Sequence, residues 1–231
     1  MIAAMQTPAT RVALIHAIAL AVAPISSAFE RLWPEASRRN LLDDSLSVDR
    51  AEAGALTPGM TRRFIDLAAY AKGTGCEGIL FTCSAFGPAI EAAGEAVGIP
   101  TLKPNQAMFD DALALATPGG TLKLGLLATF QASIPSMAEE LQQLAAARGI
   151  ALDLRSVFVP QAMDDLAAGR AADHHRKIAG AAATLADCDA VMLAQFSMAA
   201  AAPEAQAQLP CPVLSSPDCA VRALMQTMQD V

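Results

Sequence analysis

At 231 residues, the chain is long enough to bury one large hydrophobic core or two smaller ones. Hydrophobic residues make up 54% of it and aromatic residues only 4%, so we expect cores of Ala, Leu, Ile, Val and Met. The net charge of -7 argues against a nucleic-acid partner or an acidic membrane surface, because both need a basic protein surface. A local basic pocket for a carboxylate substrate stays compatible with this charge.

Five cysteines form an odd count without a CxxC pair, which predicts neither a disulfide framework nor a zinc site. Residues 1–10 lack the basic segment of a signal peptide. Residues 12–24 are apolar, but they contain His16, are interrupted by proline and are too short to span a bilayer. We therefore expect a soluble, cytoplasmic protein without a bound metal.

The predicted elements alternate between strands and helices. In the first half, strands are predicted at residues 11–17, 40–42, 78–81 and 101–103. Helices are predicted at residues 18–33, from the N-cap pair Thr57-Pro58 onward, and from Pro88 to about Val97. This alternation predicts an α/β fold whose mostly parallel sheets carry helices on both faces.

The second half repeats the pattern. Its predicted strands are at residues 123–127, 151–157 and 190–194, and its helices at 133–148, in the region up to 185, and from Pro217. Residues 198–207 are rich in alanine and predict a helix of weakly specified packing.

A shift of 112 residues aligns the two halves without a gap. It places residues 11–15 on 123–127, residues 76–81 on 188–193, and residues 99–103 on 211–215. Three strand segments with one offset indicate an internal duplication. We expect two pseudo-symmetric lobes, residues 1–105 completed by 215–231, and residues 106–214, with the active site in the cleft between them.

The most informative stretch is residues 76–87, CEGILFTCSAFG. A short apolar run leads through Thr82, Cys83 and Ser84 into a helix. In open α/β sheets, ligands bind at the carboxyl ends of the strands, where a helix N-terminus lowers the pKa of a thiol. A lone cysteine in apolar surroundings is more commonly a core residue. Cys83, however, follows the apolar run and is flanked by hydroxyl groups, which favours a reactive thiol.

These residues, the duplication and the chain length resemble the aspartate/glutamate and hydantoin racemase superfamily, which also includes arylmalonate decarboxylase and maleate isomerase. The resemblance implies two α/β lobes that close over a small carboxylate, with two cysteines that exchange a proton and with neither pyridoxal phosphate nor a metal. Cys83 matches the first family cysteine, and Ser84 matches the hydroxyl that helps hold the substrate. The second family cysteine falls on Gln195, which cannot exchange protons.

A second acid or base must therefore come from another residue. His16 ends the first strand, and it could titrate near neutrality or hold the turn after the strand by hydrogen bonds. Lys103 could bind a carboxylate or be a solvated lysine. Cys219 could replace the missing thiol or pack in the core.

Two further polar segments could contribute to a site or could be structural. Asp43, Asp44 and Ser45 follow the second strand, where they could include a general base or could cap a turn. His174 and His175 lie in a polar stretch that predicts a solvated helix face. With Cys83 as the catalytic residue, the predicted substrate-binding residues are Thr82, Ser84, Ala85, His16, Ser45, Lys103, Thr129, Gln195, Phe196 and Ser197.

Three functions fit these features. The leading interpretation is a cofactor-independent racemase or isomerase that acts on a small amino acid or related carboxylate through Cys83. The second is a decarboxylase of the arylmalonate type, in which one thiol suffices to deliver a proton. The third is a non-catalytic two-lobed protein that binds a small ligand. Neither a nucleic acid nor a membrane is expected as a partner, and a homo-oligomer is one alternative for the assembly.

Overall fold

A computed structural model of the protein describes residues 10–229. Residues 1–9, which belong to the segment where we expect no signal peptide, lie outside the described residues, as do residues 230–231. The chain divides into two compact units. Unit 1 holds the chain up to Pro104 and again from Val221 onward, and unit 2 holds the chain from Asn105 to Ala220.

Unit 1 contains a four-stranded parallel sheet. Its strands are β1 (Arg11–His16), β2 (Ser37–Leu42), β3 (Gly78–Phe81) and β4 (Thr101–Leu102), in the order β2-β1-β3-β4. Its helices are α1 (Val22–Leu32), α2 (Ser45–Ala53), α3 (Pro58–Gly73) and α4 (Gly87–Val97). Short 3-10 helices precede α1 and α4, at Ala19–Ala21 and Ser84–Phe86.

Unit 2 contains a second four-stranded parallel sheet. Its strands are β5 (Thr121–Ala128), β6 (Ala151–Phe158), β7 (Ala190–Leu193) and β8 (Val213–Ser215), in the order β6-β5-β7-β8. Its helices are α5 (Gln106–Leu113), α6 (Ile134–Ala147), α7 (Ala162–Ala167), α8 (Ala171–Ala182) and α9 (Ala202–Gln206). The last helix, α10 (Ser216–Gln229), begins in unit 2 and ends in unit 1.

The two sheets share their strand order and most of their register. Val12 pairs with Gly78 in unit 1, and Leu124 pairs with Ala190 in unit 2, so that both partners are shifted by the same 112 residues. The pairing of β3 with β4 recurs in β7 and β8 at this offset. The predicted α/β class with two similar lobes is thus confirmed.

Both faces of the unit 1 sheet are covered, as apolar parallel strands require. Ala13 and Ile15 lie in one core cluster with residues of α3 and α4. Val12 and Leu14, which alternate with them along β1, are also fully buried. The carboxyl ends of the strands, and the turns that follow them, are therefore where polar residues of this unit can gather.

Helix α3 fixes the turn that follows β3. Thr57 caps it by accepting a hydrogen bond from the Met60 backbone N–H (3.3 Å), and Pro58 occupies its first turn. The ring of Phe64 on its buried face stacks against Phe81 at 5.0 Å and contacts Phe86 at 4.8 Å, measured between ring centroids. Since Phe81 and Phe86 flank residues 82–85, this aromatic cluster anchors both sides of the turn.

Several predictions of helices and strands were incomplete or wrong in their bounds. Helices α2 and α5 were not predicted, because α2 buries only Leu46 and α5 is apolar on several sides, so neither shows a clear apolar stripe. Strand β2 begins at Ser37 instead of residue 40, since its first residues are polar. The predicted helix at 198–207 is a 3-10 helix, Phe196–Ala201, followed by α9.

The expectation of weakly specified packing in this last segment was also wrong. Met198, Ala201 and Ala205 are fully buried and lie in one core cluster of unit 2. Small side chains here allow close approach between elements instead of loose packing. Every helix within residues 10–229 is too short or too polar to cross a bilayer.

Candidate functional site

Cys83 lies at the carboxyl end of β3, a strand bordered on both sides by other strands of the sheet. It is the residue before the 3-10 helix Ser84–Phe86, which leads into α4. Its side chain is half-buried, whereas Ser84 and Ala85 are exposed. The thiol therefore sits at the edge of the sheet where ligands of α/β proteins bind.

The acidity of this thiol differs from the expectation. Burial raises the pKa of Cys83, and the backbone N–H of Ala85 lowers it by a smaller amount. The predicted depression of the thiol pKa by the following helix was wrong, because desolvation of the thiolate outweighs the N–H group. Cys83 is thus mainly protonated at neutral pH.

His16 and Thr82 form a buried pair beside this position. His16 Nδ1 lies 2.8 Å from Thr82 Oγ1, and His16 Nε2 lies 2.9 Å from Asn40 Oδ1. Burial lowers the pKa of His16, and the hydrogen bond to Asn40 offsets part of this change. Of the two roles open for His16, the hydrogen-bonded one agrees with these contacts. Thr82, predicted to contact substrate, is itself buried against the ring.

Asp43 and Ser45 belong to a charged network with α3. Arg63 donates to Asp43 through Nε (3.0 Å) and Nη2 (2.6 Å), and Ser45 Oγ donates to Asp43 Oδ1 at 2.8 Å. Burial raises the pKa of Asp43, but the bonds from Arg63 and Ser45 and the charge of Arg63 outweigh it, so the pKa is lowered. A carboxylate held ionised in this way is a weak base. Asp44 is exposed.

Lys103 has a carboxylate partner in the same unit. Its Nζ lies 2.9 Å from Glu91 Oε1, on α4. The solvated-lysine alternative was therefore too simple, because the charge is already paired. A substrate carboxylate would compete with Glu91 for this ammonium group.

Gln195 follows β7 in unit 2, at the register position that Cys83 holds in unit 1. Its Oε1 accepts from the backbone N–H of Thr129 (2.8 Å) and from Thr129 Oγ1 (3.2 Å). Its Nε2 donates to Ser133 Oγ at 2.8 Å. The amide therefore links the carboxyl ends of β7 and β5. That Gln195 faces Cys83 and binds substrate stays a prediction.

The residues after Gln195 differ in exposure. Phe196 is buried and Ser197 is half-buried. Phe196 therefore presents little surface to a ligand, although it occupies the register position of the exposed Ser84. The predicted contacts of these two residues with substrate stay predictions.

The remaining cysteines are buried, so none matches the accessibility of Cys83. Cys219, weighed as a replacement thiol, is 1% exposed, in agreement with a packing role. Cys188 Sγ accepts a hydrogen bond from Arg155 Nη2 at 3.0 Å, but burial still raises its pKa.

The two adjacent histidines do not share a solvated face. His174 is fully buried and its Nδ1 lies 2.7 Å from the carbonyl oxygen of Ala162, so the predicted exposure was wrong for this residue. His175 Nδ1 lies 3.1 Å from Glu204 Oε1. Among residues 10–229, no group of three or more His, Cys, Asp or Glu side chains is arranged to hold a metal ion.

Four residues of these networks were not predicted from the sequence: Asn40, Arg63, Glu91 and Ser133. Asn40 and Arg63 contact their partners across 24 and 20 residues of chain, and neither stands in a motif. Of these two residues, Asn40 is the easier to predict from the sequence. It lies two residues before the end of β2, next to β1, and a polar residue there can reach a histidine on the neighbouring strand.

Comparison with known proteins identifies relatives. The family model described as Asp/Glu/Hydantoin racemase matches residues 22–224. A search of curated proteins gives no significant match. A glutamate racemase from Bacillus anthracis is 16% identical with a TM-score of 0.68, over 97% of this chain and 83% of that chain.

Two further solved structures share the fold. A glycine-to-cysteine variant of arylmalonate decarboxylase, in a sulfate-associated form, is 18% identical with a TM-score of 0.66, over 95% of this chain and 93% of that one. Allantoin racemase from Klebsiella pneumoniae is 16% identical with a TM-score of 0.67, over 95% and 88% of the respective chains. At such identities, these matches establish a common fold.

Proposed function

This chain belongs to the Asp/Glu/hydantoin racemase family, and from this membership we propose that it is a cofactor-independent racemase or isomerase of a small amino acid or related carboxylate. The observation that carries the proposal is Cys83, the most accessible cysteine, at the carboxyl end of β3. An acid or base at that edge can reach the α-carbon of a bound acid.

The proposed role of Cys83 is transfer of the α-proton. As thiolate, it removes the proton from the α-carbon and leaves a carbanion conjugated with the substrate carboxyl group; inversion then requires that another donor, such as water, protonates the opposite face. Ser84 is exposed beside it, and the Ala85 N–H lies close enough to affect the thiol pKa. These donors are suited to stabilise the negative charge that develops on the substrate.

A decarboxylase is the second candidate, and the raised pKa of Cys83 favours it. In that reaction, loss of CO2 breaks the carbon–carbon bond and leaves the electron pair on the α-carbon, and a protonated thiol then supplies the proton. A thiol that is mainly protonated at neutral pH suits this single step. The amide of Gln195, already bonded to Thr129 and Ser133, offers no second acid or base.

The two candidates are separated by assays in deuterium oxide. The substrates are single enantiomers of aspartate, glutamate, hydantoins and allantoin, together with arylmalonates. With a racemase, the substrate gains deuterium at the α-carbon and its solution loses optical rotation without release of CO2. A decarboxylase instead releases CO2 from the malonates. A protein that only binds its ligand does neither. We expect Cys83→Ser to abolish the activity that is found.

The matched control is Cys76→Ala. Cys76 precedes β3, so it lies at the opposite end of the strand from Cys83, and it is buried. Its loss should leave turnover per folded molecule close to the wild-type value. Full activity of Cys83→Ser would contradict the proposed role of the thiol.

The cellular location is part of the proposal. Within residues 10–229, which include all five cysteines, no disulfide is formed. Thiols in this state suit a reducing compartment, and we propose the cytoplasm.

A further inference from the structure

His16, the last residue of β1, has both ring nitrogens engaged. The amide oxygen of Asn40 can only accept a hydrogen bond, so Nε2 of His16 carries the ring proton. Because the neutral ring has one proton, Nδ1 is an acceptor, and it receives the hydroxyl proton of Thr82. The contacts thus define the tautomer of His16.

The neutral state of the ring follows from its surroundings. His16 is 1% exposed, and this burial lowers its pKa from the ordinary histidine value despite the opposing bond to Asn40. The imidazole is therefore an acceptor toward Thr82 at neutral pH, where the enzyme is expected to work.

Thr82 connects this ring to the thiol, because it is the residue directly before Cys83. Its backbone N–H donates to the carbonyl oxygen of Ile15 at 3.0 Å. Its hydroxyl has two acceptors within reach, His16 Nδ1 at 2.8 Å and the same Ile15 oxygen at 3.4 Å. The shorter contact is the stronger one, so His16 determines the direction of the hydroxyl.

We propose that His16 is a positioning residue that holds Thr82 through Nδ1 and thereby fixes the backbone from which the Cys83 thiol projects. Without this acceptor, the hydroxyl keeps only the weaker 3.4 Å contact with the Ile15 carbonyl oxygen, so residues 82–85 are held less firmly on the side of β1. A displacement of about 1 Å at a reacting group can cost roughly 100-fold in rate. The effect on turnover rests on the proposed function, whereas the effect on the thiol itself does not.

Two substitutions separate the contacts of His16. His16→Asn retains an acceptor where Nδ1 lies and is too short to reach Asn40, whereas His16→Gln retains a donor for Asn40 and places no acceptor toward Thr82. We expect His16→Gln to lower kcat by roughly 10- to 100-fold with a smaller change in KM. His16→Asn should restore most of kcat. A purely structural role would not produce this order.

The thiol supplies a readout that needs no substrate. Cys83 is labelled with iodoacetamide across a pH series, and the rate of labelling at Cys83 is measured by peptide mapping. His16→Gln should raise this rate severalfold, because the loosened segment exposes a thiol that burial now protects. Thr82→Val should have the same effect, and the double variant should show no further increase. His174→Gln, at a fully buried histidine of unit 2, is the control and should label as the wild type does.

Additive effects in this cycle, or wild-type labelling in His16→Gln, would overturn the proposal. If His16→Gln does not fold, Thr82→Val must raise labelling and His16→Asn must not. Failure of the proposed function gives a different result. In that case the wild-type protein shows no turnover in the deuterium assays, but the labelling rates of the single and double variants still follow the expected pattern.

Discussion

The thiol of Cys83 is half-buried, and this burial raises its pKa. We therefore expect its alkylation rate to rise with a midpoint above that of a free cysteine, since the thiolate is the nucleophile. The midpoint is measured by labelling for fixed times at several pH values and quantifying the labelled Cys83 peptide by mass spectrometry. A midpoint below that of free cysteine would mean that the N–H of Ala85 outweighs desolvation.

The same experiment tests which cysteine reacts first. Cys76 and Cys188 are buried, whereas Cys83 is half-buried, so Cys83 should be labelled before either of them. The sequence favours a reactive thiol at Cys83 because this residue follows a strand and precedes a helix, whereas Cys76 and Cys188 precede their strands. The structure adds a second reason, the greater exposure of Cys83, because thiol reactivity depends on access as well as on acidity.

Gln195 makes three hydrogen bonds that tie together two strand ends of unit 2. Gln195→Ala leaves the N–H of Thr129, a buried residue, without its acceptor, which typically costs about 1–3 kcal/mol. We expect a lower midpoint of urea unfolding. Gln143→Ala, which removes an exposed glutamine bonded to Glu139 on α6, is the matched control and should change stability little. Equal stability of the two variants would show that the link between β5 and β7 is weak.

At the scale of elements, Arg63 joins the turn after β2 to helix α3 through Asp43. The pKa of Asp43 is lowered in the folded protein, so the pair stabilises the fold above the ordinary carboxyl pKa and loses this contribution as the pH falls through the lowered value. Asp43→Asn should thus cost about 1 kcal/mol at pH 7, and the difference from wild type should shrink in acid.

Thermal unfolding of both proteins from pH 7 to pH 3 measures this difference. Asp44→Asn, at the exposed neighbouring carboxylate, serves as the control. A difference that stays constant with pH would mean that charge is not the basis of the contact between Asp43 and Arg63.

The elements could be predicted where the pattern of apolar residues is clear. The strands around Cys83 and Gln195 were placed because buried parallel strands are continuous apolar runs. Helix α2 and the first residues of β2 were missed, because their burial depends on a few side chains. The contacts of His16 with Asn40 and Thr82 also could not be predicted, since they depend on register between strands and not on spacing along the chain.

At the scale of the whole molecule, the repeat extends to individual hydrogen bonds. The backbone N–H of Arg11 donates to the Glu77 carboxylate, and that of Lys123 donates to Asp189 at the same offset. The N–H of Thr82 donates to Ile15, as that of Ala194 does to Leu127. Cys83 and Gln195 thus hold one position in two copies of the same sheet.

This equivalence leads to a test of Gln195. If both residues serve one substrate, as the sequence predicts, Gln195→Cys supplies a second thiol, and racemisation should rise above the wild-type rate. Chiral chromatography of the product measures it. Adding Cys83→Ser to this variant should abolish turnover. A rate at or below that of the wild type would contradict the prediction that position 195 contacts the substrate.

One strand departs from the common offset. Arg11 pairs with Ser37, whereas Lys123 pairs with Asp153, so the chain from a residue of the first strand to its partner in the second is four residues longer in unit 2, and the chain from there to the third strand is four residues shorter. An α-helical turn takes 3.6 residues, so a change of four leaves nearly the same face of a helix on the sheet. A difference of about one helical turn on each side of the second strand therefore leaves the alternation of strands and helices unchanged in the two units. If the halves arose by duplication, as the sequence predicts, the strands kept the common pattern and the helical connections diverged.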